Sequence, residues 1–223
     1  IEGWDTFTEQ DVAVLYQSGL VEYSCREQSR EMFLSQQYYN LNKHLFARFE
    51  WGPDDAKESL TLLNVHLRAT PEAADLRLRQ ARLMRKWIAE QVSRGENVIV
   101  LGDLNTEEKN HPPEAATDLG VLLGVATPDP SDDLFDLHAR LPAASRATHL
   151  SGGQFDRILI SPAMNHDAPD RQDFVFGSVR VAKDVVIRGQ GQDTDHFNVF
   201  YQIPQDERDV SDHYPLVAEF LVQ

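Results

Sequence analysis

Four short segments of the chain place acids, amides or histidines where apolar runs end. They are Asn64-Val65-His66-Leu67, Gly102-Asp103-Leu104-Asn105, Phe155-Asp156-Arg157-Ile158 and Ser211-Asp212-His213-Tyr214-Pro215. Strand ends on a packed sheet are stiff platforms that hold side chains to a fraction of an ångström. Asp103 is the only charged side chain in Val98–Leu104. A carboxylate against an apolar strand is costly unless it is paired, hydrogen-bonded or bound to a cation. Alone, Asp103 reads equally as a turn aspartate capping N–H groups after Gly102. Asn105 offers an amide donor beside it. Asp156 has its own plain reading, an ion pair with Arg157 or another arginine, and His66 and His213 each read singly as structural histidines. Jointly the segments say more. If they converge, Asp103, Asp156 and Asp212 share one pocket with His66 and His213. Carboxylates that close repel and raise each other's pKa unless a cation sits among them. One or two hard divalent ions, Mg²⁺ or Mn²⁺, suit such oxygen ligands. They would polarise a phosphoryl oxygen and help stabilise a leaving group.

The elements that must position these residues are strands with one prominent helix. Asp11–Tyr16 is a first strand, ended by Ser18-Gly19. His44–Trp51 and Ser59–Leu67 alternate as a hairpin around Gly52-Pro53-Asp54-Asp55. Thr70-Pro71 opens a helix, with Thr70 as its cap and Glu72 and Asp75 at the positive end of the dipole. Leu76, Leu83, Met84, Trp87, Ile88 and Val92 form the apolar stripe. Arg77, Arg79, Arg82, Arg85 and Lys86 fall mostly off it, as a solvated charged face, and Gly95 ends the helix. Asn97–Leu101 and Phe155–Ile160 are buried strands, with one short helix near Leu119–Val125 between them. Residues 163–173 and 189–209 read as polar loops, the second carrying Asp193-Thr194-Asp195-His196, while Phe174–Arg188 is extended and Pro215–Val222 is a last strand. Hairpins mixed with a strand-helix-strand unit favour an α/β or α+β sandwich of two sheets with helices outside.

Composition narrows the class. The 223 residues are 41% apolar and 26% charged, which fits one soluble domain with a substantial core. A net charge of −15 disfavours coating of nucleic acid or anionic membrane, yet leaves room for a local phosphate site. The single cysteine, Cys25, excludes an internal disulfide and a zinc site of several cysteines, and no nucleophile motif surrounds it. No apolar run reaches the length of about 18 residues that a membrane-spanning helix needs. The chain opens at Ile1 with no visible signal peptide, and since processing or truncation removes such segments, this start says little about the compartment; a soluble protein, cytoplasmic or secreted, is expected, and the oligomeric state has no signature.

From about Ser59 to Phe220 the chain resembles the endonuclease/exonuclease/phosphatase superfamily, which includes deoxyribonuclease I, exonuclease III-type repair nucleases, sphingomyelinases and inositol phosphate phosphatases. The resemblance rests on NVHL at 64–67, GDLN at 102–105, FDRILIS at 155–161 and SDHYPL at 211–216, in that order, with the arginine-bearing helix between the first two. ATH at 147–149 is a weaker match. It implies a four-layered α/β sandwich and a metal-dependent phosphodiesterase or nuclease using activated water. Asp103 would orient or deprotonate the water. Asn105 would bind the phosphate or hold the water. His66 would donate to a non-bridging oxygen, His213 would contact the scissile phosphate, and Asp156 would orient and charge His213. Asp212 would help hold the metal, and Arg68 and His149 join Asn105 in binding the substrate. The family's domain also begins earlier, with a strand asparagine and a metal-binding glutamate that Glu2, Glu9 and Glu22 do not match. The expectation is therefore one domain over residues 1–223, N-terminally incomplete, with open edges in one sheet. The substrate is expected to be a nucleic acid or a small or lipid phosphodiester, with Arg68, Arg146, Arg157 and the helix arginines as candidates for a basic track. The alternative is a non-catalytic ligand- or nucleic-acid-binding protein on the same fold.

Overall fold

A computed structural model of the chain describes residues 4–9, 12–17, 22–25, 44–52, 54, 58–166, 174–188 and 199–222. Its strands are β1 (Trp4–Glu9), β2 (Val12–Gln17), β3 (Glu22–Cys25), β4 (His44–Trp51), β5 (Glu58–His66), β6 (Asn97–Asp103), β7 (Phe135–Asp136), β8 (Asp156–Ile160), β9 (Phe174–Val181) and β10 (Leu216–Val222). Helix α1 spans Ala74–Ser93 and α2 spans Asp118–Leu123. Six strands form the main sheet in the order β3-β4-β5-β6-β8-β7, while β1-β2 and β9-β10 are separate antiparallel pairs. Strands β5 and β6 run parallel, joined through α1, and β8 lies antiparallel to β6. The C-terminal ends of β5 and β6 therefore meet the N-terminal end of β8 at one edge of the sheet.

Period-two alternation sorts the apolar side chains between two layers. Phe46, Leu63, Val65, Val98, Val100 and Leu159 pack against Met84, Ile88, Leu119 and Leu122 of the helices. Each fully buried side chain of this size contributes about 1.5–3 kcal/mol. On the opposite face, Ile99, Ile158 and Ile160 meet Phe176, Val179, Leu216 and Phe220 of the β9-β10 pair. Leu45, Ala47 and Phe49 meet Val12, Val14 and Tyr16 of β2. Leu62 is register partner to both Ala47 and Ile99, so both hairpins lie on the same face. The expected sandwich of facing sheets with flanking helices is what the chain forms.

The sequence missed several local features. β2 is set one residue later than expected and pairs with β1, which the apolar pattern did not show; Asp11, Ser18 and Gly19 lie outside the described residues. The short β3 was also missed. Thr70 makes no side-chain cap; its φ is 77°, and a single 3₁₀ turn, Pro71–Ala73, leads into α1. The helix stripe is rotated from the expected one. Arg77, Gln80, Ala81, Met84, Arg85 and Ile88 are buried, so Arg77 and Arg85 do not belong to a solvated face. Strand β9 ends at Val181 and a 3₁₀ turn follows at Lys183–Val185, rather than an extended run to Arg188. Short 3₁₀ turns at Pro162–Met164 and Phe200–Gln202 interrupt the two expected loops. Pro53, Asp55, residues 167–173 and the Asp193–His196 segment lie outside the described residues, as does Glu2.

Candidate active site

The register places the acids before any side-chain contact is considered. His66 pairs with Asp103 across β5-β6, and Asp103 pairs with Asp156 across β6-β8. Directly opposed residues point to the same face of a sheet, so all three emerge together, on the face that carries β9-β10. Gly102 permits the approach. Its φ is +125°, and a Cβ there would lie 2.0 Å from the Val65 carbonyl oxygen. Only glycine lets β6 come this close while turning Asp103 outward.

Loops supply the rest. The backbone of residues 148–150 threads beside 212–214: Leu150 N–H donates to the Asp212 carbonyl at 2.9 Å and Tyr214 N–H to the Thr148 carbonyl at 2.7 Å, with His149 and His213 as bridge partners. This sets His213 Nδ1 at 2.8 Å from Asp156 Oδ2. The carboxylate accepts, so Nδ1 carries the proton and Nε2 faces the cluster. Thr148 Oγ1 accepts the Asp156 N–H at 3.1 Å, fixing the acid at its root. The rings of His149 and His213 stand edge to face at 4.8 Å. His149 Nδ1 accepts the Ser151 N–H at 3.0 Å, so in its neutral form Nε2 carries the proton, aimed at Asp212 Oδ2 at 3.4 Å. His66 Nε2 lies 3.7 Å from Asp103 Oδ2.

Electrostatics follow from these distances. Burial pushes the Asp103 carboxyl above its ordinary range; the Asn105 N–H at 2.9 Å and the two histidines pull the other way, while Asp156 adds to the rise. The hydrogen bond to Asp156 raises the His213 imidazole against the opposing effect of burial. The site thus holds one carboxylate made more basic and one imidazole inclined to keep its proton.

His66, Asp103, Asp156, His213, His149 and Asp212 form one chain of neighbours at this edge. Asn105 sits beside it with φ of 48°, its side-chain amide donating one hydrogen to the Leu67 carbonyl at 3.1 Å. Arg68 is held through its backbone: its N–H donates to Gln80 Oε1 and its carbonyl accepts from Arg77. Asp156 does not pair with Arg157. That guanidinium lies on the opposite face of the sheet from Asp156 and bonds to Asp136, with Nη1 at 2.6 Å from Oδ2, and it is buried. Arg157 therefore supplies no basic track for a substrate. Thr148, Ser151 and Asp136 were missed in sequence; the ATH match, with Thr148 beside His149, was the one signal pointing at them.

A metal is tested by the donors present. Ligand atoms of His149, Asp212 and His213 lie within 4.8 Å of one another. The three together offer one exposed carboxylate and two imidazoles, a mixed oxygen and nitrogen donor set that fits a divalent ion.

The model of the endonuclease/exonuclease/phosphatase family matches residues 11–213. The chain belongs to this family. Family members are hydrolases of phosphate esters. No curated protein matches the chain. Among solved structures, a humanized D. rerio TDP2 is similar over 98% of this chain and 76% of its own, at 16% identity and a TM-score of 0.63. The mannosyl-6-phosphatase of Bacteroides thetaiotaomicron is similar over 99% and 78%, at 14% and 0.62. The Xenopus laevis APE2 catalytic domain is similar over 100% and 77%, at 18% and 0.60. These likenesses establish the fold. They leave the roles of the clustered residues to be argued from this family member's own geometry.

Proposed function

We propose that this chain hydrolyses a phosphate diester with a water activated at the edge where β5, β6 and β8 meet. The observation that carries the reading is the convergence of Asp103, Asp156 and His213, drawn from three distant segments, with the Asp156–His213 hydrogen bond at 2.8 Å. Family membership supports it. The Asp103 carboxylate, made more basic by burial, orients the attacking water and takes its proton. His213 presents Nε2 to a non-bridging oxygen, and Asp156 stabilises its positive charge as negative charge builds on the phosphoryl oxygens. His66 and the Nε2–H of His149 add donors, and the second hydrogen of the Asn105 amide is available for a phosphoryl oxygen. Asp212 would hold a divalent ion, Mg²⁺ or Mn²⁺, which when bound supplies polarisation of a phosphoryl oxygen. We take residues 1–223 to act as a single domain in this role.

The test is hydrolysis of bis-p-nitrophenyl phosphate with Mg²⁺ or Mn²⁺ and after chelation. Asp103→Asn and His213→Ala should each lower the rate by about a hundredfold or more. Rates unchanged by either substitution would overturn the roles assigned. Absence of any metal-dependent turnover would favour a non-catalytic binding protein on this fold.

A further inference from the structure

A cavity of about 530 Å³ lies between the end of α2 and the edge strand β7, and it shares no residue with the catalytic edge. Its walls are largely apolar, with Leu123, Val125, Leu134 and Phe135 among them. Its charges are unevenly paired. Asp136 and Asp133 both line it, and each already has an arginine from outside the cavity, Arg157 at 2.6 Å and Arg85 at 3.4 Å. Arg140 and Arg146 line it too. Arg140 donates from Nη2 to Asn165 Oδ1 at 3.1 Å, and Arg146 from Nε to the Leu141 carbonyl at 2.9 Å. Among the described residues neither has an ion pair. The cavity is thus locally cationic on a molecule of net charge −15. His111 closes one side, its side chain only 7% exposed, with Nδ1 3.8 Å from Asp136 Oδ2. Burial holds this imidazole below its ordinary pKa, against the pull of Asp136 and with the help of Arg157 and Arg146, so it is uncharged at neutral pH. Its buried Nε2 has no partner within hydrogen-bond distance, and neither has Oε1 of Gln154, which acts on the same ring. Buried polar atoms left unpaired are costly and rare. With Asp136 favouring a proton on Nδ1, Nε2 is an acceptor that calls for an N–H or O–H.

We propose that this cavity is a second binding site, for the carboxylate of an N-acylated apolar amino acid, either a free molecule or the last residue of a peptide. Three features converge on that ligand. Arg140 and Arg146 supply planar guanidinium forks, which match a carboxylate in shape and charge. His111 Nε2 accepts a donor rather than an anion, and the amide N–H beside the carboxylate is such a donor. The walls around Leu134 and Phe135 take an apolar side chain out of water. A phosphodiester anion has no hydrogen for Nε2, and a bare inorganic anion would leave the walls wet. An uncharged apolar ligand would leave both guanidiniums unused. The site lies apart from the hydrolytic machinery, so it stands independently of the phosphodiesterase reading.

The test is calorimetric titration with N-acetyltryptophan and with its uncharged amide, in EDTA so that no metal at Asp212 can take the carboxylate. The acid should bind about tenfold tighter or more, the scale of hydrogen bonds to a charged group. Arg140→Gln and Arg146→Gln should each bring the ratio of the two affinities towards one. Arg140 is exposed, so its substitution leaves the fold intact even if that of Arg146 does not. Val125→Asp, at a wall position 41% exposed, should lower the affinity for the acid by about tenfold by setting a like charge beside it. Acetyl-glycyl-glycyl-tryptophan serves as the peptide arm: tighter binding than N-acetyltryptophan assigns the site to a chain end, and weaker binding to a free acid. Equal affinities for acid and amide, a preference that survives both arginine substitutions, or competition by inorganic phosphate at a similar concentration would each overturn the proposal. So would a preference lost in Asp103→Asn, which would place the binding at the catalytic edge.

Discussion

At the scale of single residues, His213 and Asp156 should behave as one unit. Their 2.8 Å hydrogen bond means that removing either leaves the other without its task. Asp156→Asn is expected to cost about a hundredfold in kcat, close to the cost of His213→Ala, and the double variant should lose little more than the worse single one. A double-mutant cycle on kcat checks this; additive losses would show that the two act apart. These residues stood out in the sequence only jointly, as acids and histidines at the ends of several apolar runs; each alone also read as a structural residue. Their supports were less legible. Thr148 and Ser151 act through loop backbones whose path no periodicity encodes, and the alternative reading of Asp156 as a partner of Arg157 fails because adjacent strand residues point to opposite faces.

At the scale of elements, α1 clamps the loops that follow β5 and β6. Arg77 donates from Nε to Asp118 Oδ2 at 2.8 Å and from Nη1 to the carbonyls of Arg68 at 3.0 Å and Thr70 at 2.6 Å. Asp118 Oδ1 in turn accepts from Thr106 Oγ1 at 2.6 Å, three residues past Asp103. One buried ion pair therefore fixes both loops. Arg77→Met should cost about 3–5 kcal/mol, because it leaves a buried carboxylate unpaired, and kcat should fall although Arg77 never reaches the substrate. Urea unfolding with parallel kinetics tests both. Gly102→Ala should cost at least about 2–3 kcal/mol, since a methyl must meet the Val65 carbonyl and the backbone conformation is left-handed; full stability in that variant would contradict the close β5-β6 contact. The helix itself was readable up to Gly95, although it starts at Ala74 and not at a Thr70 cap. Its buried face was not, because arginine counts as polar in any pattern, yet Arg77, Ala81, Met84 and Ile88 follow helical spacing.

At the scale of the molecule, Arg157 joins a buried polar cluster on the face of the sheet opposite Asp156. His138 is fully buried, its Nε2 donating to the Arg146 carbonyl at 3.1 Å, with Nδ1 3.7 Å from Asp136 Oδ1. Burial, aided by Arg157 and opposed by Asp136, drives its pKa down to about 4. The unfolded chain takes up a proton near pH 6.5 that the folded chain refuses until about pH 4. Stability should therefore be whole above about pH 6.5 and fall by about 1.4 kcal/mol per pH unit as the pH drops towards about 4. Thermal unfolding of the unaltered chain and of His138→Gln across that window should show a shallower slope in the variant. The sandwich was foreseeable from hairpins mixed with a strand-helix-strand unit. The β1-β2 pairing was not, since its partners carry little apolar contrast. Arg157 bears on how this architecture avoids misassembly. A slip of β8 by one position along β6 would reverse every side chain, thrusting the guanidinium among isoleucines and hiding the Asp156 carboxylate beneath the sheet. On the proposed reading, the buried charge is thus a key cut for one alignment, the one that delivers Asp156 to the edge it shares with Asp103.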